Sequence, residues 1–461
     1  MAKDKKVVFV MVPFLAQGHL GQLLHFSRLI SSYNIPVHYV STTTHIRQAS
    51  SRHQGWDLLA HDNMIHVHEF PIPAFLCPDP NPNAPCKFPS QLQPAFEASV
   101  HLREPVCKLL TSLSATARRI VIIHDYLMAS VVQDFASIPN AETYTFQTCS
   151  CFFTFTYYWD YAGRPIAADD QILQELISTE GSLTPELLAL GAKQEIHVEK
   201  SSGEIFNTSR AIEGHYLDLL RTLQVTKKHW AIGPFNPVDI CQKPNKKRHK
   251  CLEWLDNQAS SSVIYVSFGT TTCLTDKQIH AIAVGLENSG QKFIWILRDA
   301  DKGDIFTGDV RKAELPTGYE DRILEAGQGM IVRDWAPQLE ILAHTSTGGF
   351  MSHCGWNSCL ESLTMGVPMA TWPMHSDQPR NSELITKVLK LGIVVKGWTR
   401  ENDLVGSLQI ANAVKKLIAS KEGDEMRKRA ADYKNAIRES VAEGGVSRLE
   451  LDSFIDHITR E

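Results

Sequence analysis

Two polar residues in the first part of the chain have side chains suited to acid–base chemistry. His19 follows a continuous apolar run, Val7–Val12, and Asp125 follows a second apolar run at residues 120–123. Both runs read as buried parallel strands, and ligands of open α/β sheets collect at the carboxyl ends of such strands. A neutral imidazole is a suitable base near pH 7, and a carboxylate on its second nitrogen fixes the tautomer. Taken singly, a histidine is more often structural and an aspartate more often a helix cap.

A second group of residues, within the segment 335–378, has the pattern of a nucleotide site. Its motif SHCGWNS follows a glycine-bounded strand and enters a helix, where free N–H groups and the helix dipole favour a phosphate. His353 adds a donor or a positive charge, and Thr270, after another strand, would face the same crevice. Two such loops indicate a diphosphate. Trp335 offers a face for a base and Glu361 a carboxylate for a ribose, although each alone is more often a core aromatic or a surface charge.

The elements that must position these residues follow a βαβ pattern twice. In the first half we predict strands at 7–12, 36–40 and 120–123. In the second half we predict strands at 263–268, 293–297, 330–332, 349–351 and 368–372. A capping box at Thr275 opens a helix that Gly290 ends. The proline-rich stretch 233–250, with a basic end, predicts a solvated linker. The pattern therefore predicts an α/β protein with Rossmann-like domains at 1–240 and 241–444.

Composition excludes several classes of protein. The chain has 461 residues, 43% of them hydrophobic and 21% charged, which is typical of a globular protein with more than one domain. A net charge of -5 provides no basic field for nucleic acid. Ten cysteines without a C-x-x-C pair indicate free thiols in a reducing compartment. No run approaches the ~20 apolar residues that cross a bilayer, so we expect a cytoplasmic protein without membrane partners.

A metal site and two other enzyme classes are disfavoured. His61, His66, His68 and Glu69 lie close in sequence, but His66 and His68 alternate along a strand-like run and no second ligand set has a familiar spacing. The sequence has no G-x-G-x-x-G after its first strands, which argues against a nicotinamide dehydrogenase, and no G-x-S-x-G, which argues against an esterase. We therefore expect no metal and no resident cofactor.

The segment 335–378 resembles the donor-binding box of the plant family 1 UDP-glycosyltransferases. The fixed positions of that box are filled by Trp335, Gln338, His353, Gly355, Trp356, Asn357, Ser358, Glu361, Asp377 and Gln378. The resemblance covers essentially the whole chain. It implies a GT-B fold, in which two Rossmann-like domains face each other across a cleft and the last helix, 445–461, packs back on the N-terminal, acceptor-binding domain. It also implies UDP-glucose as the co-substrate, bound by the C-terminal domain without a metal.

The same resemblance implies a role for each donor-side residue. Trp335 would stack on uracil, and the ribose would be bound by Gln338 and Glu361. The diphosphate would be bound by Thr270, His353, Asn357 and Ser358. The sugar would be contacted by Trp356, Asp377 and Gln378, where glutamine is associated with glucose. Thr270 stands where the family usually has serine, and the hydroxyl is retained.

The N-terminal half carries the implied catalytic pair. The stretch VPFLAQGHL is similar to the loop that holds the family's catalytic histidine, and HDYLMAS is similar to the place of its aspartate partner. His19 would then be the base and Asp125 its orienting partner in an inverting transfer to a hydroxyl. A nucleotide-sugar sensor without turnover is the alternative of another class, and such a sensor would not need this pair.

The acceptor is indicated by resemblance alone. The stretches NIPVHYVSTTTHIRQA, KFPSQLQPAFEASVHLREPV and HDYLMASVVQDFASIPNAETYTF resemble the zeatin O-glucosyltransferases, a group within the family. They imply O-glucosylation of the side-chain hydroxyl of the cytokinin zeatin, and flavonoids or other phenolics remain the alternative acceptors. The aromatic run 152–159 reads mainly as a buried helix face, so no acceptor contact is assigned to it. We expect a monomer.

Overall fold

The computed structural model describes residues 6–52, 63–84, 86–165, 171–240, 248–306, 311, 313–398 and 404–461. The first part of the chain forms seven strands, β1 Val7–Val12, β2 Val37–Thr42, β3 Ile65–Phe70, β4 Arg119–Asp125, β5 Ala141–Gln147, β6 Gly203–Phe206 and β7 Lys228–Ala231. Its helices are α1 Gln17–Ser31, α2 Thr43–Arg52, α3 Gln93–Ala98, α4 Arg103–Ser114, α5 Cys151–Tyr161, α6 Gln171–Gln174, α7 Pro185–Val198 and α8 Arg210–Leu223.

The second part repeats this organisation with six strands. They are β8 Val263–Ser267, β9 Lys292–Ile296, β10 Gly329–Val332, β11 Thr347–Ser352, β12 Met369–Thr371 and β13 Gly392–Val394. The accompanying helices are α9 Lys250–Leu255, α10 Asp276–Ser289, α11 Tyr319–Glu325, α12 Gln338–Ala343, α13 Trp356–Met365, α14 Gln378–Glu383, α15 Ser407–Ala419, α16 Lys421–Val441 and α17 Val446–Thr459. Within the described residues, no helix is both long and apolar enough to cross a bilayer.

Both sheets are parallel and reverse their strand order once. The first has the order β3-β2-β1-β4-β5-β6-β7 and the second the order β10-β9-β8-β11-β12-β13. Strand β1 therefore lies beside β4, with Val12 opposite His124, and β8 lies beside β11, with Ser267 opposite Ser352. The crevice at such a reversal is where open α/β sheets bind ligands. The predicted pair of Rossmann-like domains is confirmed, and each domain has one switch point.

The strands that sequence reading identified have a simple physical origin. Along β1, alternate residues enter two different cores: Phe9 packs in one with α1, and Val10 packs in the other with α4. A strand buried on both faces has no polar positions, so its apolar run is visible in the sequence. Strand β3 has no such run, because its residues are all partly exposed at the sheet edge.

Helix α10 begins and ends where its sequence signals place it. The hydroxyl of Thr275 accepts a hydrogen bond from the main-chain N–H of Gln278 at 3.2 Å, and Gly290 ends the helix in the left-handed conformation, with φ 64°. The second half of a capping box would be a hydrogen bond from the Gln278 side chain back to the N–H of Thr275, and here that side chain is used elsewhere. The Gln278 amide exchanges two hydrogen bonds with the main chain of Val405, which joins α10 to the segment before α15.

The predicted linker, 233–250, lies only partly within the described chain. Residues 241–247, next to the predicted domain boundary, are outside the described residues, and residue 250 is already the first residue of α9. Before the gap, residues 233–240 contain no helix or strand. The described part of the stretch thus connects β7 to α9 without adding an element to either sheet.

The last helix, α17, packs on the first sheet although it follows the second domain in sequence. Leu451, Phe454 and Ile458 are buried in the core that contains β1. The Phe454 ring centroid lies 5.1 Å from that of Trp230 on β7. Helix α16 leads the chain across, since it packs against α13 of the second domain and α8 of the first. The core of the first domain is therefore completed by the C-terminus.

We expect Phe454→Ala to destabilise the protein by about 3–5 kcal/mol, because the substitution leaves a cavity beside Trp230 that the surrounding rings fill only partly. Urea denaturation followed by circular dichroism measures the change. Leu449→Ala on the same helix is the control, since Leu449 is 56% exposed and its loss should change the free energy of unfolding by less than about 0.5 kcal/mol. Equal effects of the two substitutions would show that the helix is not part of the core.

Candidate active site

A cleft of about 1740 Å³ lies where the carboxyl ends of the two sheets meet, and both domains line it. All the site residues predicted from sequence are among its lining residues: His19, Asp125, Thr270, Trp335, Gln338, His353, Trp356, Asn357, Ser358, Glu361, Asp377 and Gln378. The strand order explains this convergence. Each of the two switch points opens into the cleft, so residues more than 300 positions apart in the chain share one cavity.

His19 and Asp125 form a hydrogen-bonded pair at the first switch point. The distance from His19 Nδ1 to Asp125 Oδ2 is 2.7 Å. The other carboxylate oxygen of Asp125 accepts from the main-chain N–H of Leu127 at 3.0 Å. Asp125 therefore caps the turn after β4 and orients the imidazole at the same time, so the two roles weighed for it in the sequence are not exclusive. The arrangement leaves His19 Nε2 as the nitrogen available to a ligand.

The charges around His19 favour its protonated form. Burial lowers the pKa of this imidazole, but the charge and hydrogen bond of Asp125, with a further contribution from Asp377, outweigh that effect and raise the pKa above its ordinary value of 6.5. The pKa of Asp377 is raised to about 6 by burial, against the opposing hydrogen bond from Asn381. A proton accepted by His19 is thus stabilised by two neighbouring carboxylates.

His353, at the second switch point, has the opposite character. Burial lowers its pKa to about 4, so near neutral pH the ring is an uncharged hydrogen-bonding group rather than a cation. Its Nδ1 is buried and has no hydrogen-bond partner in the structure. The ring fits because two neighbours are glycines: a Cβ on Gly269 or Gly355 would lie 2.7 or 2.6 Å from His353 Nε2. Of the two expectations, donor or positive charge, the structure favours the neutral donor.

The start of helix α13 presents main-chain N–H groups to the cleft. Its N-cap, Gly355, has no side chain to bond them, and Trp356, Asn357 and Ser358 are the first three helical residues. The side chains of two of these residues are already engaged with the first domain. Trp356 Nε1 donates to the carbonyl of Asn207 and Asn357 Nδ2 to that of Gly18, each at 2.9 Å. The indole N–H of Trp356 is therefore occupied, and its main-chain N–H remains for a ligand.

The nucleoside end of the predicted donor site is joined by hydrogen bonds. Gln338 Nε2 donates to Ser358 Oγ at 3.1 Å and to Glu361 Oε2 at 2.7 Å. Burial raises the pKa of Glu361 to about 7, against the opposing hydrogen bond from Gln338. Trp335 is half-buried, and its ring meets that of His249 edge-on. A flat face and a carboxylate held by an amide thus lie along one side of the cleft.

The sugar end of the predicted donor site is a tight turn before α14. Gln378 Oε1 accepts from the main-chain N–H groups of Met374 and His375 at 2.9 and 3.1 Å, so part of this side chain holds the turn. Asp377 Oδ2 accepts from Asn381 Nδ2 at 2.7 Å. Burial lowers the pKa of His375 to about 3, and this residue was not among the predicted site residues. It lines the cleft and lies within the segment 335–378, but it is not one of the fixed positions of the donor box.

The aromatic residues at positions 152–159 of α5 divide between the core and the cleft. Three of them are buried in the core: Phe152, Phe155 and Trp159. Three others line the cleft: Phe153, Tyr157 and Tyr158. The interpretation of this run as mainly a core face is therefore right for half of it. Residues 153 and 157 are four positions apart and therefore lie on one face of the helix. This spacing is visible in the sequence and could have indicated a second, cleft-facing side of α5.

Apolar residues from loops and helices complete the first-domain side of the cleft. They include Phe14, Phe88, Leu92, Phe96, Leu183 and Leu187. The Phe14 ring packs edge-on against the His19 imidazole, with centroids 5.3 Å apart. These residues come from three stretches of the chain, at residue 14, residues 88–96 and residues 183–187, and no spacing in the sequence relates one stretch to another. An apolar cavity beside a histidine base suits a small flat molecule with a hydroxyl group.

The histidines weighed as metal ligands do not form a metal centre among the described residues. His66 and His68 lie on β3, and His68 Nε2 is 2.8 Å from Nδ1 of His38 on β2. His61 and the segment around it lie outside the described residues. Across the described ranges, no group of three or more histidine, cysteine, aspartate or glutamate residues is arranged to hold a metal ion.

Comparison with known proteins gives consistent matches in both halves of the chain. A glycosyltransferase N-terminal domain model matches residues 5–237, and a UDP-glucoronosyl and UDP-glucosyl transferase model matches residues 224–429. A zeatin O-glucosyltransferase of Phaseolus lunatus is 56% identical over 459 residues, which are 99% of this chain and 98% of the relative. A zeatin O-xylosyltransferase of Phaseolus vulgaris is 53% identical over 459 residues, with 99% of this chain and 99% of the relative covered.

A solved structure supports the same assignment. The crystal structure of a UGT transferase from Siraitia grosvenorii in complex with UDP has a TM-score of 0.75 and 26% sequence identity, and the match covers 99% of this chain and 100% of that one. Because each half of the chain matches its own domain model, the likeness is not confined to the donor box. The chain belongs to the UDP-glycosyltransferase family and has the GT-B fold of that family.

Proposed function

We propose that this UDP-glycosyltransferase transfers glucose from UDP-glucose, with inversion, to the side-chain hydroxyl of zeatin. The observation that carries the mechanism is the His19–Asp125 pair, held at 2.7 Å and facing the N-terminus of α13 across the cleft. The acceptor is supported by the two relatives at 56% and 53% identity, both of which act on zeatin by name. We further propose that residues 1–240 bind the acceptor and residues 241–444 bind the donor.

The proposed reaction needs one proton transfer and one displacement. His19 Nε2 removes the proton of the acceptor hydroxyl while that oxygen attacks the anomeric carbon of glucose. The bond between this carbon and the UDP oxygen breaks on the opposite face, so an α-linked donor gives a β-glucoside. Asp125 keeps the proton of the neutral imidazole on Nδ1 and stabilises the imidazolium that forms. The proton ends on His19 and the bonding electrons on UDP.

The second domain would stabilise the negative charge that develops on UDP. The main-chain N–H groups at the start of α13, the neutral His353 and the Thr270 hydroxyl all face this part of the cleft. We propose that these neutral donors stabilise the leaving group without a metal ion. Trp335 would stack on uracil, and the amide-linked pair Gln338 and Glu361 would bind the ribose.

The sugar subsite is proposed from the turn before α14. Asp377 would accept hydrogen bonds from sugar hydroxyls through the carboxylate oxygen that does not bind Asn381. Gln378 would contribute its Nε2, which lies 3.2 Å from His375 Nε2, since its Oε1 holds the turn. The relatives include a glucosyltransferase and a xylosyltransferase, and we propose glucose because glutamine stands at the last position of the donor box.

We also propose that the enzyme works as a monomer in the cytoplasm. The nine cysteines within the described residues are all free, although several are buried, and free thiols persist in a reducing compartment. The cleft is complete within one chain, since a single copy supplies every predicted site residue. Light scattering of the purified protein tests the first part of this proposal.

We expect radiolabelled glucose to pass from UDP-glucose to zeatin and not to isopentenyladenine, which lacks the hydroxyl. A panel of cytokinins and flavonoids, with UDP-glucose, UDP-xylose and UDP-galactose as donors, measures the specificity, and product fragmentation locates the sugar. Sugar on the purine ring contradicts O-transfer. Efficient use of flavonoids without zeatin contradicts the proposed acceptor, and a preference for UDP-galactose contradicts the proposed donor.

His19→Ala should lower kcat by about 10²–10⁴-fold, the usual contribution of a positioned general base. The affinity for UDP should change little, because the donor-binding residues lie in the other domain. Steady-state kinetics and calorimetric UDP binding measure the two effects. His280→Ala, an exposed substitution on α10, is the control and should leave both quantities unchanged. A His19→Ala enzyme with near-normal turnover would falsify the assignment of the base.

The pH dependence should report the raised pKa of His19. The base must be neutral, so kcat/KM should rise with pH through an apparent pKa above 6.5. In Asp125→Asn the charge that raises this pKa is gone while burial remains, so the rise of kcat/KM should occur at lower pH. Turnover should also fall. Asp134→Asn, which breaks an exposed ion pair with Arg103, should leave the profile in place. A rise at unchanged pH in Asp125→Asn contradicts the assignment of its partner.

A further inference from the structure

Three tyrosines in the first-domain half of the cleft lie within the electrostatic influence of one carboxylate, that of Glu195. Tyr126, Tyr157 and Tyr158 all line the cleft, and the Tyr126 hydroxyl donates to Glu195 Oε2 at 2.5 Å. Burial is the main cause of the raised pKa of each tyrosine, and the charge of Glu195 raises all three further. We call Tyr126, Tyr157, Tyr158 and Glu195 the tyrosine wall. Its residues come from three places in the fold: Tyr126 from the turn after β4, Tyr157 and Tyr158 from α5, and Glu195 from α7.

The tyrosine wall is fixed relative to the catalytic pair. Tyr126 follows Asp125 directly, so the two Cα atoms are about 3.8 Å apart. The Asp125 carboxylate caps the turn that holds Tyr126, through its bond to the N–H of Leu127. Helix α7 is held against the same region, since Gln194 Oε1 accepts from the N–H of Ser130 at 2.8 Å. An acceptor whose hydroxyl reaches His19 thus has a wall of fixed position beside the rest of its body.

The direction of the Tyr126 hydrogen bond decides whether the tyrosine wall acts as a hydrogen-bond donor or acceptor towards a ligand. A tyrosine hydroxyl has a single proton, and an ionised carboxylate can only accept. The Tyr126 hydroxyl donates its only hydrogen to Glu195, so towards a ligand in the cleft that this residue lines its oxygen can act only as an acceptor. The charge on Glu195 strengthens this polarity. A ligand N–H facing that oxygen is satisfied, whereas a ligand carbonyl or carboxylate would be desolvated against lone pairs at a cost.

We propose that Tyr126, oriented by Glu195, is a specificity-determining residue that accepts a hydrogen bond from an N–H group of a planar nitrogen heterocycle in the acceptor. This inference rests on the proposed function and deepens it. An aminopurine carries two such groups, the exocyclic N–H and the ring N–H. Phenolic acceptors that present a carbonyl or carboxylate at this point are disfavoured, although the apolar residues of the cleft would accommodate them.

The test is a double-mutant cycle between Tyr126→Phe and the acceptor. Two zeatin analogues each lack one donor: in the first an ether oxygen replaces the exocyclic N–H, and in the second a methyl group replaces the hydrogen on the ring N9. One neutral hydrogen bond predicts that Tyr126→Phe raises the KM for zeatin about three- to tenfold, with kcat changed less. For one of the analogues, the penalty seen with the wild-type enzyme should disappear in Tyr126→Phe.

Tyr161→Phe is the matched control, because Tyr161 ends the same helix as Tyr157 but is 86% exposed and should change no parameter. Glu195→Gln is the second variant. It keeps the shape of the wall and removes its charge, so discrimination between zeatin and the critical analogue should decrease, and this variant tests the proposal should Tyr126→Phe fold poorly. A loss that is equal for zeatin and both analogues, or no loss in either variant, overturns the proposal.

Calorimetric binding of zeatin and the analogues to the UDP-bound protein gives the same cycle without turnover. Binding of zeatin that depends on Tyr126, without transfer of glucose, would support recognition by the wall and contradict the proposed reaction. Transfer to zeatin with no coupling between Tyr126 and either N–H group would support the proposed reaction and contradict recognition by the tyrosine wall. The two failures are therefore distinguishable.

Discussion

The adjacency of β1 and β4 is the constraint on which the chemistry of this molecule depends. These strands are separated by more than 100 residues, yet they lie side by side because the strand order of the first sheet reverses between them. The reversal leaves a crevice at their carboxyl ends, with the start of α1 on one side and the turn after β4 on the other. A histidine and an aspartate at these two places meet at 2.7 Å. The second sheet repeats the arrangement with β8 and β11, so each domain supplies one half of the cleft.

The two halves are joined by hydrogen bonds that end on the loops forming the site. Asn357, in the first turn of α13, donates to the carbonyl of Gly18, the residue before His19. On the other side of the donor loop, Arg52 of α2 makes a bidentate ion pair with Asp301 at 2.5 and 2.7 Å, and the N–H of Asp301 donates to the carbonyl of Thr270. Burial of both partners makes this pair far less screened than a surface one. The contacts that hold the domains together therefore also position the loop of the proposed base and the loop of the proposed diphosphate site.

The sequence was sufficient for those parts of the site that depend on local chemistry. Strands buried on both faces, such as β1 and β4, appear as uninterrupted apolar runs, and the donor box is contiguous enough to be compared as one pattern. The strands β5, β6, β7 and β13 were not predicted, since their runs are short or mixed with polar residues such as those of AETYTFQ in β5. The acceptor side was not predictable either. Phe14, Phe88 and Leu187 approach one another only through tertiary packing, and the division of α5 between core and cleft depends on which neighbours cover it.

The contrast between His19 and His353 shows why the placement of charge matters more than the residue type. Both imidazoles lose solvation in the cleft, which favours the neutral form of each. Carboxylates lie beside His19 and raise its pKa again, whereas His353 lies between glycines and near another neutral histidine, His375, and its pKa stays at about 4. In the proposed reaction, a proton released by the acceptor therefore has one favourable destination. His353 cannot compete for it and remains a neutral donor on the side where the leaving group gains charge, so the two histidines can act in the same step without exchanging roles.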